Sequence, residues 1–226
     1  AVKHVPNGVE LAAHAPDARQ RELVRRELAV PADATVAVYS GRIEQVKGID
    51  DLLDAWDLVC ATRPGCHLVL VGAALEETIA EIRQRCEGRA TLPRIHFLGL
   101  RTDVARILHM ADFAVLPSHA EGLSNALLEF MATGLPIVAT RVSGTEDMVR
   151  DGHEGFLCEP RDVEGLANAL RRMLALTAED RAAMGRRALD TVGRECSVET
   201  VAGRLLALYG IPSRDNWTGG SVTCAE

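Results

Sequence analysis

Short apolar runs alternate with amphipathic stretches along most of the chain. Thr35 to Tyr39 (TVAVY), His67 to Val71 (HLVLV), Arg94 to Gly99 (RIHFLG), Phe113 to Leu116 (FAVL) and Pro136 to Ala139 (PIVA) are rich in β-branched and aromatic residues. Each reads as a strand, the first ending at Ser40-Gly41 and the second at Gly72. Between the first two, Ile49 to Ala61 repeats apolar residues at helical spacing, with Leu52, Leu53, Trp56 and Val59 on one face. A helix is expected through about Cys86, a short one from Asp103 to Met110 with Asp103 as its cap, and one starting near Ser124. After Leu157 the expectation turns from strands to helices, over Asp162 to Leu176, Ala178 to Val192 and Ser197 to Tyr209. These are expected to lie against the sheet rather than line a site.

Strands that are apolar throughout, instead of alternating, must be buried on both faces, and the intervening helices supply the cover. The pattern therefore predicts an α/β fold: a Rossmann-like, doubly wound parallel sheet with C-terminal helices. Ligands of such sheets bind beyond the carboxyl ends of the strands. That directs attention to Ser40-Gly41-Arg42, Gly72, Gly99-Leu100-Arg101, Pro117 to Asn125 and Thr140 to Thr145.

Composition narrows the function classes. The 226 residues are 47% hydrophobic, ample for a core, and carry a formal net charge of −7. No basic stripe is present, which argues against a nucleic-acid partner and against adhesion to an anionic membrane. No stretch approaches the ~18 apolar residues of a membrane span, and no signal peptide is seen. The six cysteines form no C-x-x-C pair and read as reduced thiols of a cytoplasmic protein. Asn216-Trp217-Thr218 matches a glycosylation sequon, without a secretion signal to give it meaning. The chain has no G-x-G-x-x-G after its first strand, no P-loop, and no His/Cys/Asp cluster at metal spacing. Ser118 and His119 are adjacent, so they point to opposite faces of an extended segment and make no nucleophilic pair; His119 is expected to be an exposed loop histidine.

What remains is a constellation at the predicted carboxyl edge. Arg42 and Lys47 follow the first strand, in a loop loosened by Gly41 and Gly48. Gly122, Leu123, Ser124 and Asn125 follow the fourth strand and open a helix, whose free N–H groups and dipole attract phosphate. Two cations and a helix start on one edge describe a pyrophosphate site. Glu129 lies further along that helix, placed to accept hydrogen bonds from a ribose diol.

The segments SGRIEQVKG, LPSHAEGLSNALLEFMATGLPIVAT and DGHEGFLCEP together resemble the donor-binding half of retaining glycosyltransferases of family 4, which have the two-domain GT-B fold. Glu121 and Glu129 match that family's E-x7-E motif, and HVPNGVE (His4 to Glu10) looks like its interdomain linker. The resemblance implies residues 1–15 as linker, 16–210 as a nucleotide-sugar-binding domain and 211–226 as a flexible tail. It implies that Arg42 and Lys47 hold the donor diphosphate and act on the leaving charge. Glu121 would meet the donor sugar, the backbone of Gly122, Leu123, Ser124 and Asn125 would hold sugar and phosphate, and Glu129 the ribose. The Leu98, Gly99, Leu100, Arg101 stretch resembles the loop that reads the base through backbone groups, and Gly41 would also bind the nucleotide-sugar. No cofactor or divalent metal is implied, since the protein supplies the cations; the donor is a UDP- or GDP-sugar.

Ser143-Gly144-Thr145-Glu146-Asp147 departs from the family's Gly-Gly pattern. The partner implied is an amino-terminal, acceptor-binding domain that this chain lacks, in an enzyme of the cytoplasm, peripheral to the inner face of the membrane, that builds bacterial surface polysaccharide. The alternatives are a nucleotide-sugar epimerase or phosphorylase on the same fold, and a non-catalytic nucleotide-sugar-binding module.

Overall fold

A computed structural model describes residues 5–211. The expected tail, Ile211 apart, and the Asn216 sequon lie outside the described residues. Strands β1 (Thr35–Ser40), β2 (Cys66–Val71), β3 (Ile95–Gly99), β4 (Phe113–Leu116), β5 (Ile137–Thr140) and β6 (Gly155–Cys158) form one sheet in the order β3-β2-β1-β4-β5-β6. Every pairing is parallel. The apolar runs are buried as expected: Val36, Ala37, Val38 and Tyr39 of β1 are 0% exposed. A side chain buried this way contributes about 1.5–3 kcal/mol when it is Val, Leu, Ile or Phe.

Helices α2 (Ile49–Cys60) and α3 (Glu76–Arg85) cover one face, where Leu52, Leu53 and Trp56 meet Leu166, Leu170 and Met173 of α7 (Val163–Ala175). Helices α4 (Val104–Leu108) and α5 (Asn125–Ala132) cover the other, with α1 (Ala18–Glu27) and α8 (Ala178–Cys196). Right-handed crossovers force this arrangement, because the chain winds outward from β1 to β3 and then returns across β1 to β4. The sheet order therefore reverses between β1 and β4, and their carboxyl ends frame an open crevice. The segment expected as a linker lies against the domain: Val9 is buried, donates to the Cys196 carbonyl at 2.8 Å and accepts from the Val198 amide at 3.1 Å.

Four expectations are corrected. β6 is a strand where only a loop before helices was expected; it is short, and its opening Gly155 reads as a turn residue. Asp103 stands at the N-cap of α4 but caps nothing with its side chain, because Arg101 grips both carboxylate oxygens at 2.8 Å. His119 is not exposed: its Nε2 lies 2.7 Å from Asp51 Oδ2 and its side chain is 11% accessible. The C-terminal helices do more than cover the sheet. The end of α8 and Arg204 of α9 (Val198–Leu208) line a 670 Å³ cavity together with Gly122, Leu123 and Gly144.

The β6 corner is pinned by a buried acid. Glu154, 0% exposed, accepts from the Arg150 amide at 2.9 Å, from Arg150 Nη2 at 2.6 Å and from Thr191 Oγ1 of α8 at 3.0 Å. Burial pushes its carboxyl up, yet these donors outweigh it and hold it at about 2, against an ordinary 4.5. The sign follows: the carboxylate stabilises the fold above about pH 4.5, and that contribution is lost as pH falls toward 2. Its ceiling is roughly 3 kcal/mol. Glu154→Gln should lower stability by about 2 kcal/mol at pH 7, with the gap to wild type closing below pH ~4.5 in urea titrations. A pH-independent gap would show that charge is not what matters there.

Candidate functional site

The crevice is built by the loops after β1 and β4. After β1 the chain passes Gly41 and Arg42 into a 3-10 turn, Gln45–Lys47, and enters α2 through Gly48 at φ +68°. Tyr39 of β1 fixes the start of this loop, its hydroxyl donating to the Arg42 carbonyl at 2.7 Å. Burial raises the Tyr39 hydroxyl well above its ordinary value, with the Glu121 and Glu44 carboxylates adding to the shift, so it stays a donor. Gly48 lies flat against the other loop: a Cβ there would sit 2.0 Å from the Pro117 carbonyl oxygen, and its φ also favours glycine. The His119 amide donates to the Val46 carbonyl at 2.9 Å, and the His119 ring meets Asp51 at the start of α2. The two loops are thus latched together.

That latch sets Lys47 over Glu121. Nζ and Oε2 are 2.5 Å apart, with side chains 17% and 16% exposed, and Ser118 Oγ donates to the same oxygen at 3.1 Å. Ser118 is fixed in turn by Thr140 Oγ1, which donates to its carbonyl at 2.5 Å. Beyond Glu121 the loop rests on the one after β5. A Cβ on Gly144 would fall 2.5 Å from the Leu123 nitrogen and 2.6 Å from the Gly122 oxygen. The departure from the Gly-Gly pattern therefore keeps the glycine that makes this close approach.

Ser124 is the N-cap residue of α5, and its side chain makes no cap bond. Among the described residues no group accepts from the amides of Asn125, Ala126 or Leu127. This first turn thus presents donors and the positive end of a dipole beside the Lys47–Glu121 pair. Glu129, on the same helix, opens into a separate 420 Å³ hollow shared with Asn7, Gly8, Glu10, His14 and Asn125. Asn7 Nδ2 donates to Asn125 Oδ1 at 2.8 Å, so the segment before α1 forms the hollow's wall. Burial raises the Glu129 carboxyl, and no group among the described residues donates to it. It is an acceptor held ready without a partner.

Two groups of expected residues stand apart from this cluster. Arg42 turns outward, 71% exposed, and pairs with Glu44 at 2.7 Å on the wall of an 800 Å³ cleft that runs toward α3. Leu98 and Gly99 end β3 and Leu100 follows it, two strands from β1. The Gly99 carbonyl accepts from the Gly72 amide at 2.9 Å, while Leu100 is 78% exposed. Sequence reasoning overlooked Ser118, Tyr39, Asp51 and Asn7 as positioning groups. Only the Ser118-x-x-Glu121 spacing offered a signal for any of them.

Sheet order, flanking helices and the open switch point define a Rossmann-like α/β domain of the kind found in GT-B proteins. The chain belongs to the glycosyl transferases group 1 family, whose profile matches residues 34–176. Glycogen synthase of Mycobacterium tuberculosis is 38% identical over 168 residues, covering 73% of this chain and 38% of that protein. D-inositol 3-phosphate glycosyltransferase of Geodermatophilus obscurus is 36% identical over 180 residues, 76% of this chain and 40% of that protein. Among solved structures, Anabaena HepE in complex with UDP and glucose superposes with a TM-score of 0.84 at 24% identity, covering 92% of this chain and 56% of that one. The C-terminal domain of a glycosyl transferase group 1 family protein from Francisella tularensis is covered whole, with 84% of this chain, at a TM-score of 0.75 and 21% identity. The chain spans about two-fifths of the length of these two curated relatives.

Proposed function

We propose that this chain is the donor-binding half of a retaining glycosyltransferase that moves a hexose from a UDP- or GDP-sugar, working in the synthesis of surface polysaccharide. The observation that carries the reading is the enclosed Lys47–Glu121 pair beside the unpartnered first turn of α5. As the glycosidic bond breaks, negative charge grows on the departing diphosphate. Lys47 and the α5 amides are preorganised donors for that growing charge, which is the interaction that accelerates a step rather than merely binding its substrate. Glu121 then exchanges its bond with Lys47 for the donor sugar's hydroxyls, and Glu129 takes the ribose diol. The cations come from the protein, so donor binding should be unchanged by EDTA. The UDP reading is supported by HepE, named as a complex with UDP and glucose. The surface-polysaccharide setting is supported by the Rhizobium meliloti lipopolysaccharide core biosynthesis glycosyltransferase LpsE, 33% identical over 151 residues. The acceptor and its binding domain are partners outside this chain.

Glu129 gives the direct test. Glu129→Ala should weaken uridine and UDP alike, by about tenfold, since a hydrogen bond to a charged group is worth ~1.5–3 kcal/mol. The carboxyl is raised above its ordinary 4.5, so wild-type affinity for uridine should already decline in mildly acidic buffer, where protonation removes the charged acceptor. In Glu129→Gln that decline should vanish. Calorimetry showing full affinity for both ligands in Glu129→Ala would remove the ribose assignment.

A further inference from the structure

The edge of the sheet opposite the crevice holds another cavity, of 470 Å³, at the amino ends of β4 and β5. It lies among the start of α1, the turn between α5 and β5, and the first half of α8, and none of the residues assigned to the donor lines it. Its volume is within the range of small-molecule sites, roughly 300–1,000 Å³. Ala111, Leu135, Pro136 and Leu189 give it an apolar lining, and two arginines of α8, Arg181 and Arg186, complete it.

The charges around it are not equivalent. Arg21 is consumed by Asp112, at 2.6 Å, and by the carbonyls of Met110 and Ala111 at 3.1 and 2.7 Å. Asp17 spends one oxygen, Oδ1, on capping α1, accepting from the Arg19 and Gln20 amides at 2.8 and 3.1 Å. Arg181 donates only to the Leu176 carbonyl, at 2.7 Å, and Arg186 to no group among the described residues. Neither has a carboxylate partner within ion-pair distance among the described residues, in a chain whose net charge is −7. Two uncompensated guanidiniums beside an apolar hollow suit one kind of ligand. Each can fork onto an anionic oxygen pair, while the hollow takes an apolar body.

We propose that this cavity is a binding site for a small amphiphilic anion, a phosphate or carboxylate head on an apolar body, distinct from the donor crevice. The proposal is independent of what the crevice binds. Phenyl phosphate is the probe, titrated into the isotope-labelled 226-residue chain and followed by amide shifts and calorimetry. Saturable binding is expected, with shifts gathered at Ala111, Leu135, Ala182 and Leu189. Inorganic phosphate, lacking the body, and benzyl alcohol, lacking the charge, should each bind at least tenfold more weakly. The double variant Arg181→Ala/Arg186→Ala should lose at least tenfold in affinity for phenyl phosphate while keeping its thermal midpoint and its affinity for UDP. Absence of saturable shifts, shifts confined to the carboxyl edge, or an unchanged affinity in the double variant would overturn the site.

Discussion

Lys47→Ala should weaken UDP binding by about a hundredfold, and by clearly more than Arg42→Ala. Two effects add. The first is the loss of a charge-assisted hydrogen bond to phosphate, worth ~1.5–3 kcal/mol, where 1.4 kcal/mol is tenfold in affinity. The second is specific to this geometry. Glu121, only 16% exposed, now counters Lys47 at 2.5 Å, and removing the lysine leaves its charge facing the incoming diphosphate. Arg42 has neither property, since it is 71% exposed and already shares its charge with Glu44. Its loss should cost no more than about tenfold. The double variant Lys47→Ala/Glu121→Ala separates the two effects. It should bind UDP more tightly than Lys47→Ala alone, because the repulsive carboxylate has gone. If the double variant binds more weakly than either single variant, Glu121 is not opposing phosphate and the pair has another purpose. Calorimetry at two ionic strengths makes the comparison, and the Lys47 effect should shrink less with salt than the Arg42 effect, because the enclosed pair is screened less.

How far the sequence carried this site depends on the length scale of the forces involved. Apolar runs such as TVAVY and HLVLV announce parallel, doubly covered strands because burial on both faces leaves no polar alternation to confuse them. The strand order and the switch point were not read from the sequence, but parallel strands all place their carboxyl ends on one edge of the sheet. The cluster at the carboxyl ends was therefore legible as a set of residues. Its pairings were not. Lys47 meets Glu121 only because Gly48 lets the loop after β1 lie on the Pro117 carbonyl, a contact across 69 positions (117 − 48) that no local pattern encodes. Arg42 read as equivalent to Lys47, yet Tyr39 binds its carbonyl and its side chain swings out to Glu44. Asp103 looked like a cap by position, but Arg101 competes for both of its oxygens more strongly than the backbone amides do. His119 looked solvated because the loop is polar, while its partner Asp51 comes from the first turn of α2, remote in sequence. Each of these side chains has a charge partner that is either remote in sequence or a stronger neighbour. Short β6 was hidden for a different reason. Its edge position demands few residues, and Gly155, which reads as punctuation, opens it.

The largest effect should come from the acceptor side. The chain spans about two-fifths of the length of the two curated relatives described above, and among the described residues its crevice is walled by the loops at one edge of the sheet. Transfer needs the acceptor hydroxyl held within about 3–3.5 Å of the anomeric carbon, and orientation of that kind can supply an effective molarity of 10⁵ M or more. It also needs water excluded, so that Lys47 and the α5 amides act on the leaving charge in a low-dielectric setting. An open crevice offers neither. The 226-residue chain should therefore bind a UDP- or GDP-sugar, transfer no sugar to an acceptor, and hydrolyse donor slowly at most. Supplying an acceptor-binding domain amino-terminal to it, in one polypeptide, should raise transfer by at least ~10⁵-fold if orientation is the missing term. The donor's dissociation constant should change far less if the proposed contacts of Lys47, Glu121, the α5 amides and Glu129 hold the donor. Radiolabelled sugar transfer measured with both proteins decides the matter. Robust turnover by the 226-residue chain alone would mean that the crevice itself seats the acceptor, and the half-enzyme reading would fall.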